Sequence, residues 1–337
     1  MLEQYLNRVV DGQSLTAAEA AAVIDGMMDG KLTPAQSGAL LAALKIKGES
    51  CEEIVGGARA MRRHARFIDS GNLPVIDTCG TGGDHLNTFN ISTTVSFVAA
   101  AAGVPVAKHG NRSASSLCGS ADVLAELGFN LDADPLRMEE CLLEHGIGFF
   151  FAPKVHPAMR QVAAVRRELK FRTLFNLLGP LCNPAGARGQ LLGVFKPELT
   201  ELFANALREL GSSRVMVVHG HDGLDEISCD VPTRISELRD GAVRTYDLYP
   251  ELILGESYPL SSVKGGDAKV NAAILTAVLA GRGQGGPRAI TLLNAAAAIV
   301  VGGRAETLQA GMQLAAEAVD SGAALEKLER LLEASRG

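Results

Sequence analysis

Asp77-Thr78-Cys79-Gly80-Thr81-Gly82-Gly83-Asp84 follows an apolar Val75-Ile76 step and leads through Asn87-Thr88-Phe89-Asn90-Ile91-Ser92-Thr93 into an apolar stretch. The pattern reads as a strand, a glycine-rich turn and a helix start. Three glycines let backbone N–H groups approach a ligand, and a helix N-terminus adds partial positive charge, so a phosphate is the natural occupant. A plain surface turn accounts for these eight residues equally well. Neither the G-x-G-x-x-G spacing nor a Gly-Lys-Ser/Thr step is present, which argues against a dinucleotide fold and a P-loop.

Two further groups carry chemistry. Lys108-His109-Gly110-Asn111-Arg112-Ser113-Ala114-Ser115-Ser116 packs two cations, a histidine, an amide and three hydroxyls into nine residues. Cations beside hydroxyls suit a phosphate or pyrophosphate, and Asn111 can donate and accept at once. The alternative is a solvated loop whose serines cap the next helix, and Ser120 reads as such an N-cap. In Gly220-His221-Asp222-Gly223-Leu224-Asp225-Glu226, the adjacent carboxylates offer hard oxygen ligands to Mg²⁺. Adjacent acids alone more often mark a surface turn; the company of the other two groups raises the metal reading.

The elements that position these groups change character along the chain. Up to residue 70 the periodicity is helical, with capping-box spacings at Thr16/Glu19, Thr33/Gln36 and Ser50/Glu53. The last of these opens a helix expected to reach about Arg66. Ser70-Gly71-Asn72-Leu73-Pro74 punctuates, and strands then alternate with helices. Strands are expected at 75–76, 104–107, 147–151, 190–195 and 215–218, with helical sequence at 120–127, at 157–178 with an interruption near Lys170-Phe171, at 197–210 and from 264 to the end. This predicts an α/β protein: a small all-helical domain, and a larger one with a mostly parallel sheet flanked by helices. Ligands in such sheets sit at the carboxyl ends of the strands, where the loops at 77–84 and 108–112 emerge.

Composition narrows the partners. The 337 residues suffice for two domains, and the net charge of −6 gives no broad basic footprint for nucleic acid or a membrane surface. The six cysteines lack C-x-x-C pairs or matching histidine spacing, so neither zinc nor a disulfide framework is signalled. No uninterrupted apolar run is long enough for a membrane span. The expectation is a soluble, cytoplasmic protein with small-molecule substrates.

In Gly80-Thr81-Gly82-Gly83-Asp84, Asn90-Ile91-Ser92-Thr93, Lys108-His109-Gly110-Asn111-Arg112-Ser113, His156-Pro157-Ala158-Met159, Val165-Arg166-Arg167, Arg172-Thr173-Leu174-Phe175-Asn176-Leu177-Leu178-Gly179-Pro180-Leu181 and Gly223-Leu224-Asp225-Glu226, the chain resembles the anthranilate phosphoribosyltransferases of tryptophan synthesis. Gly265-Gly266-Asp267-Ala268-Lys269 and Asn294-Ala295-Ala296-Ala297 carry the resemblance into the tail, so it spans nearly the whole chain.

The resemblance implies transfer of a phosphoribosyl group from phosphoribosyl pyrophosphate (PRPP) to anthranilate, assisted by Mg²⁺, with two ions expected and no covalent enzyme intermediate. It assigns PRPP to Gly80, Thr81, Gly83, Asp84, Thr88, Asn90, Ser92, Thr93, Lys108 and Ser120. Anthranilate falls to Gly80, His109, Asn111, Arg166 and Gly179, and metal to Ser92, Asp225 and Glu226. Residues 1–70 with 155–180 would form the helical domain, 74–154 with 181–337 the α/β domain, with a hinge around 70–75 and a homodimer through the helical part. Lys170-Phe171 stands where the family usually has Gly-Ile, and Asp230-Val231-Pro232-Thr233 replaces a commoner glycine-containing stretch, which touches loop shape only. A pyrimidine nucleoside phosphorylase and a non-enzymatic nucleic-acid-binding relative are the alternatives. The Asn111 loop with Arg166 disfavours the first, and the acidic charge with intact motifs disfavours the second.

Overall fold

A computed structural model describes residues 2–113 and 116–337. Helices Leu2–Val10, Ala17–Met28, Pro34–Lys47 and Cys51–Arg63 form the N-terminal module. All three capping boxes are made. The Thr16 N–H donates to Glu19 at 2.9 Å, that of Thr33 to Gln36 at 3.0 Å and that of Ser50 to Glu53 at 2.8 Å, each answered by the reciprocal bond. The fourth helix stops at Arg63 rather than Arg66, because His64 caps it and the Arg66 N–H instead donates to Val155 O at 2.8 Å.

The sheet has seven strands: β1 (Ile76–Asp77), β2 (Val106–Gly110), β3 (Ile147–Phe151), β4 (Gly189–Gly193), β5 (Arg214–Gly220), β6 (Thr233–Arg239) and β7 (Ala242–Leu248). Their order is β3-β2-β1-β4-β5-β6-β7; β1 to β5 are parallel, and β6 and β7 add an antiparallel hairpin. The hairpin was not expected from the sequence. Its turn is Asp240-Gly241, both residues left-handed, as a two-residue hairpin requires. β2 also starts and ends two to three residues later than expected, so Lys108 and His109 lie in the strand and are buried.

Period-two alternation feeds two cores. Leu191, Met216 and Val218 face one with Phe97, Phe149 and Ile299, while Leu192, Val194, Val215 and Val217 face the other with Ile54, Leu178 and Phe203. Helices Arg160–Leu169 and Leu174–Leu178 share the second core with the N-terminal module, and the helix carrying Arg166 packs against Ala17–Met28 and Pro34–Lys47. Between them Lys170 takes a left-handed conformation, which makes the interruption expected near Lys170-Phe171. Chain direction reverses about β1, with β2 on one side and β4 on the other, placing a topological switch point at its carboxyl end.

Candidate active site

The loop 77–84 leaves β1 at that switch point. Thr81 donates its N–H to Gly193 O, at the end of β4, at 2.8 Å. Asp77, fully buried, pins the base of the loop: one oxygen accepts from the N–H groups of Cys79 (3.0 Å) and His109 (3.2 Å), the other from Asn183 Nδ2 (2.7 Å). Burial pushes its carboxyl up to about 6, against the pull of Lys108. Gly83 is left-handed at φ +90°, and a Cβ there would collide with the Arg172 guanidinium. Gly193 allows a second close approach, since a Cβ would overlap Asp225 O.

Lys108 Nζ lies 3.0 Å from Thr78 Oγ1 and 3.5 Å from Ser92 Oγ, so the loop, β2 and the start of the helix Ile91–Ala101 converge on one cation. The Ser92 N–H donates to Glu226 Oε1 at 3.1 Å. Asp225, Glu226 and Asp84 crowd together; desolvation first, then their mutual repulsion, holds the Asp225 carboxyl well above the usual range, and desolvation raises that of Glu226 despite Lys108. The acidic loop is anchored from behind by Asn294, which bonds both the N–H and the carbonyl of Ile227 at 2.9 Å.

The carboxylates of Asp225 and Glu226, with Asp84 beside them, offer oxygen donors to a hard divalent cation, which would offset the repulsion acting on Asp225 and Glu226. Mg²⁺ suits such an all-oxygen donor set.

The remaining assigned residues divide. Ser120 is the first residue of the helix Ser120–Glu126, not its cap. Gly119 takes that place, and Ser120 Oγ bonds the N–H and carbonyl of Asn111, at 3.2 Å each. Asn111 is exposed beside it. Ala114 and Ser115 of this loop lie outside the described residues. The Asn90 side chain is engaged with Cys118 and Asn271, so it shapes the loop. Thr88 lies in an antiparallel bridge with Lys264. Thr93 is buried, and its hydroxyl has no partner among the described residues.

On the helical side, Arg166 has its guanidinium 5.5 Å from the Phe175 ring and no hydrogen bond or ion pair among the described residues. Desolvation lowers its pKa. His109 meets His156 edge to face, with ring centroids 5.0 Å apart. Both rings are buried without well-aligned partners, near the carbonyls of Gly179 and Cys182 respectively. Burial drives His109 down to about 3 and His156 to about 4, so both are neutral at pH 7. A Cβ on Gly179 would meet open space.

Sequence reasoning gave no role to Asp77, Asn183, His156 or Phe195, and quoted Arg172 only as part of a motif. Their partners lie tens of residues away or more, so only the buried polar types hinted at a task.

A strand-end site of this build, under a helical module, defines a glycosyl transferase. The family's a/b domain matches residues 72–325, and its helical bundle domain residues 3–65. The anthranilate phosphoribosyltransferase of Desulfosudis oleivorans is 52% identical over 333 residues, covering 99% of this chain and 98% of that protein. That of Thermus thermophilus superposes with a TM-score of 0.93 at 44% identity, covering 98% of this chain and 99% of that one. The Saccharomyces cerevisiae enzyme, solved with PRPP and Mg, gives 0.87 at 27% identity over 99% and 98% of the two chains. The chain belongs to the anthranilate phosphoribosyltransferases.

Proposed function

We propose that the chain transfers the 5-phosphoribosyl group of PRPP to the amine of anthranilate, releasing pyrophosphate, in tryptophan synthesis. The observation that carries this is the cluster of Asp84, Asp225 and Glu226 tied by Ser92 to a helix start beside the glycine turn. Gly80, Thr81, Gly83, Asp84, Thr88, Asn90, Ser92, Thr93, Lys108 and Ser120 bind PRPP, Asn90 also shaping the loop around it. Ser92, Asp225 and Glu226 hold Mg²⁺, as two ions. When bound, the metal neutralises the leaving pyrophosphate.

The C1–O bond to pyrophosphate breaks with its electron pair, and the amine lone pair forms the C1–N bond. An aromatic amine is neutral at pH 7 and needs no base to attack, so the protein's task is positioning and charge stabilisation, without a covalent intermediate. Arg166, a half-buried cation with no ion pair among the described residues, takes the anthranilate carboxylate. Asn111, Gly80 and Gly179 line the same pocket. The low pKa of His109 and His156 makes them poor bases, so they serve as neutral walls against the aromatic ring.

The domain division of 1–70 with 155–180 against 74–154 with 181–337 draws on the packing of the helices Arg160–Leu169 and Leu174–Leu178 against the N-terminal module, while the core they share continues into β4, β5 and the helix Leu199–Glu209. Pairing of two copies through the helical part is tested by sedimentation. Pyrophosphate release that requires anthranilate and PRPP together tests the reaction; phosphate-dependent thymidine cleavage would instead make the chain a nucleoside phosphorylase.

A further inference from the structure

Arg172 lies on the turn between the helix that carries Arg166 and the helix Leu174–Leu178 that leads to Gly179. Its guanidinium stacks on Phe195, just beyond β4, with Cζ 4.2 Å from the ring centroid. Nη2 donates to Gly82 O at 3.1 Å, and the group fills the space where Gly83 lacks a Cβ. Asp225 and Asp84 are its nearest opposing charges, yet neither closes to an ion pair. Of the five guanidinium donors, one finds an acceptor among the described residues. A planar cation held by an aromatic ring, with its fork open over a phosphate-type turn, has the geometry for bidentate phosphate recognition.

We propose that Arg172 is a clamp on the pyrophosphate of bound PRPP, reaching from the segment that carries Arg166 onto the Gly82-Gly83 turn. It thereby links the two substrate sites in one contact. The inference rests on the PRPP reading above. Before PRPP binds, Gly82 O and the Phe195 ring hold the cation near the turn; the arriving phosphates offer it stronger acceptors at the same place. Phe195 fixes the plane of the fork, so the flexible point charge of a lysine is a poor substitute.

The test is titration calorimetry of PRPP with Mg²⁺, beside initial rates, on the full chain and on Arg172→Ala, Arg172→Lys and Phe195→Leu. Losing one or two charge-assisted hydrogen bonds should raise the PRPP Kd and KM about 10- to 100-fold in Arg172→Ala. The anthranilate KM at saturating PRPP should move by no more than about threefold, a split that general loosening would not give. Arg172→Lys should recover only part of the affinity, and Phe195→Leu should fall between the wild type and Arg172→Ala. An unchanged or tighter PRPP Kd in Arg172→Ala would overturn the clamp. If Arg172→Ala does not fold, Arg172→Lys decides: a rise of about fivefold or more supports the clamp, and a value within about twofold of wild type overturns it. Wild-type protein that fails to turn over anthranilate with PRPP would instead overturn the underlying reaction.

Discussion

The backbone N–H of Ser92 donates to Oε1 of Glu226 at 3.1 Å, joining the first turn of the helix after the glycine loop to the acidic loop after β5. The bond spans 134 positions of sequence and makes one site of two motifs. It uses one oxygen lone pair of Glu226 and leaves the rest of the carboxylate to a cation.

Replacing both acids, Asp225→Asn with Glu226→Gln, should lower kcat by about 100-fold or more, as expected for losing metal-based stabilisation of a leaving group. The initial rate should also respond less steeply to Mg²⁺. A double variant with wild-type Mg²⁺ dependence would remove the metal role from these residues.

Gly83→Ala should raise the PRPP KM by about tenfold and lower the thermal midpoint, since a left-handed backbone costs about 1 kcal/mol and the new methyl displaces Arg172. Gly211→Ala is the control. Gly211 has φ +88° with open space around its missing Cβ, so it shares the backbone cost without the collision. Equal effects of the two variants on PRPP KM would show that the space over Gly83 does not matter.

The histidine pair gives a pH signature. Unfolded histidines titrate near 6.5, as in model peptides, whereas His109 and His156 titrate at about 3 and 4 in the fold. Between those values the unfolded chain binds more protons. Stability from the pair is therefore fully present above about pH 6.5 and is lost as pH falls toward 4, by about 1.4 kcal/mol per unit per histidine. The raised carboxyls of Asp77, Asp225 and Glu226 act in the opposite sense, so the comparison is between wild type and His156→Phe. Urea midpoints from pH 7 to pH 5 should fall less steeply in the variant; parallel slopes would place the pair's protons elsewhere.

Lys170→Gly should stabilise the protein by about 0.5–1 kcal/mol, because Lys170 holds φ +54° at the end of its helix, where glycine carries no Cβ penalty. Denaturant unfolding measures it. This is also the position where the family resemblance expects glycine, so the departure has a local backbone cost and leaves the chemistry untouched.

What the sequence revealed divides by range. The capping boxes are contacts three residues apart, and each spacing named its bonds. That β1 to β5 run parallel followed from strands alternating with helices, though their order in the sheet did not, and the three chemical loops were visible as clusters of residue types. The β6–β7 hairpin carried a legible Asp240-Gly241 turn, but β7 is largely exposed and lacks the apolar run that marked the other strands. Asp77 with Asn183, Ser92 with Glu226 and Arg172 with Gly82 are pairs that only the folded sheet brings together. The burial of Lys108 and His109 was hidden for a related reason: two polar residues at a strand's end read as loop until their partners are known.

The most direct measurement follows anthranilate fluorescence in the presence of the purified chain. The emission should decay only when PRPP and Mg²⁺ are both present, and should persist when either is omitted. Decay without PRPP, or none with both present, would contradict phosphoribosyl transfer at the site formed by loop 77–84, Lys108 and Asp225-Glu226.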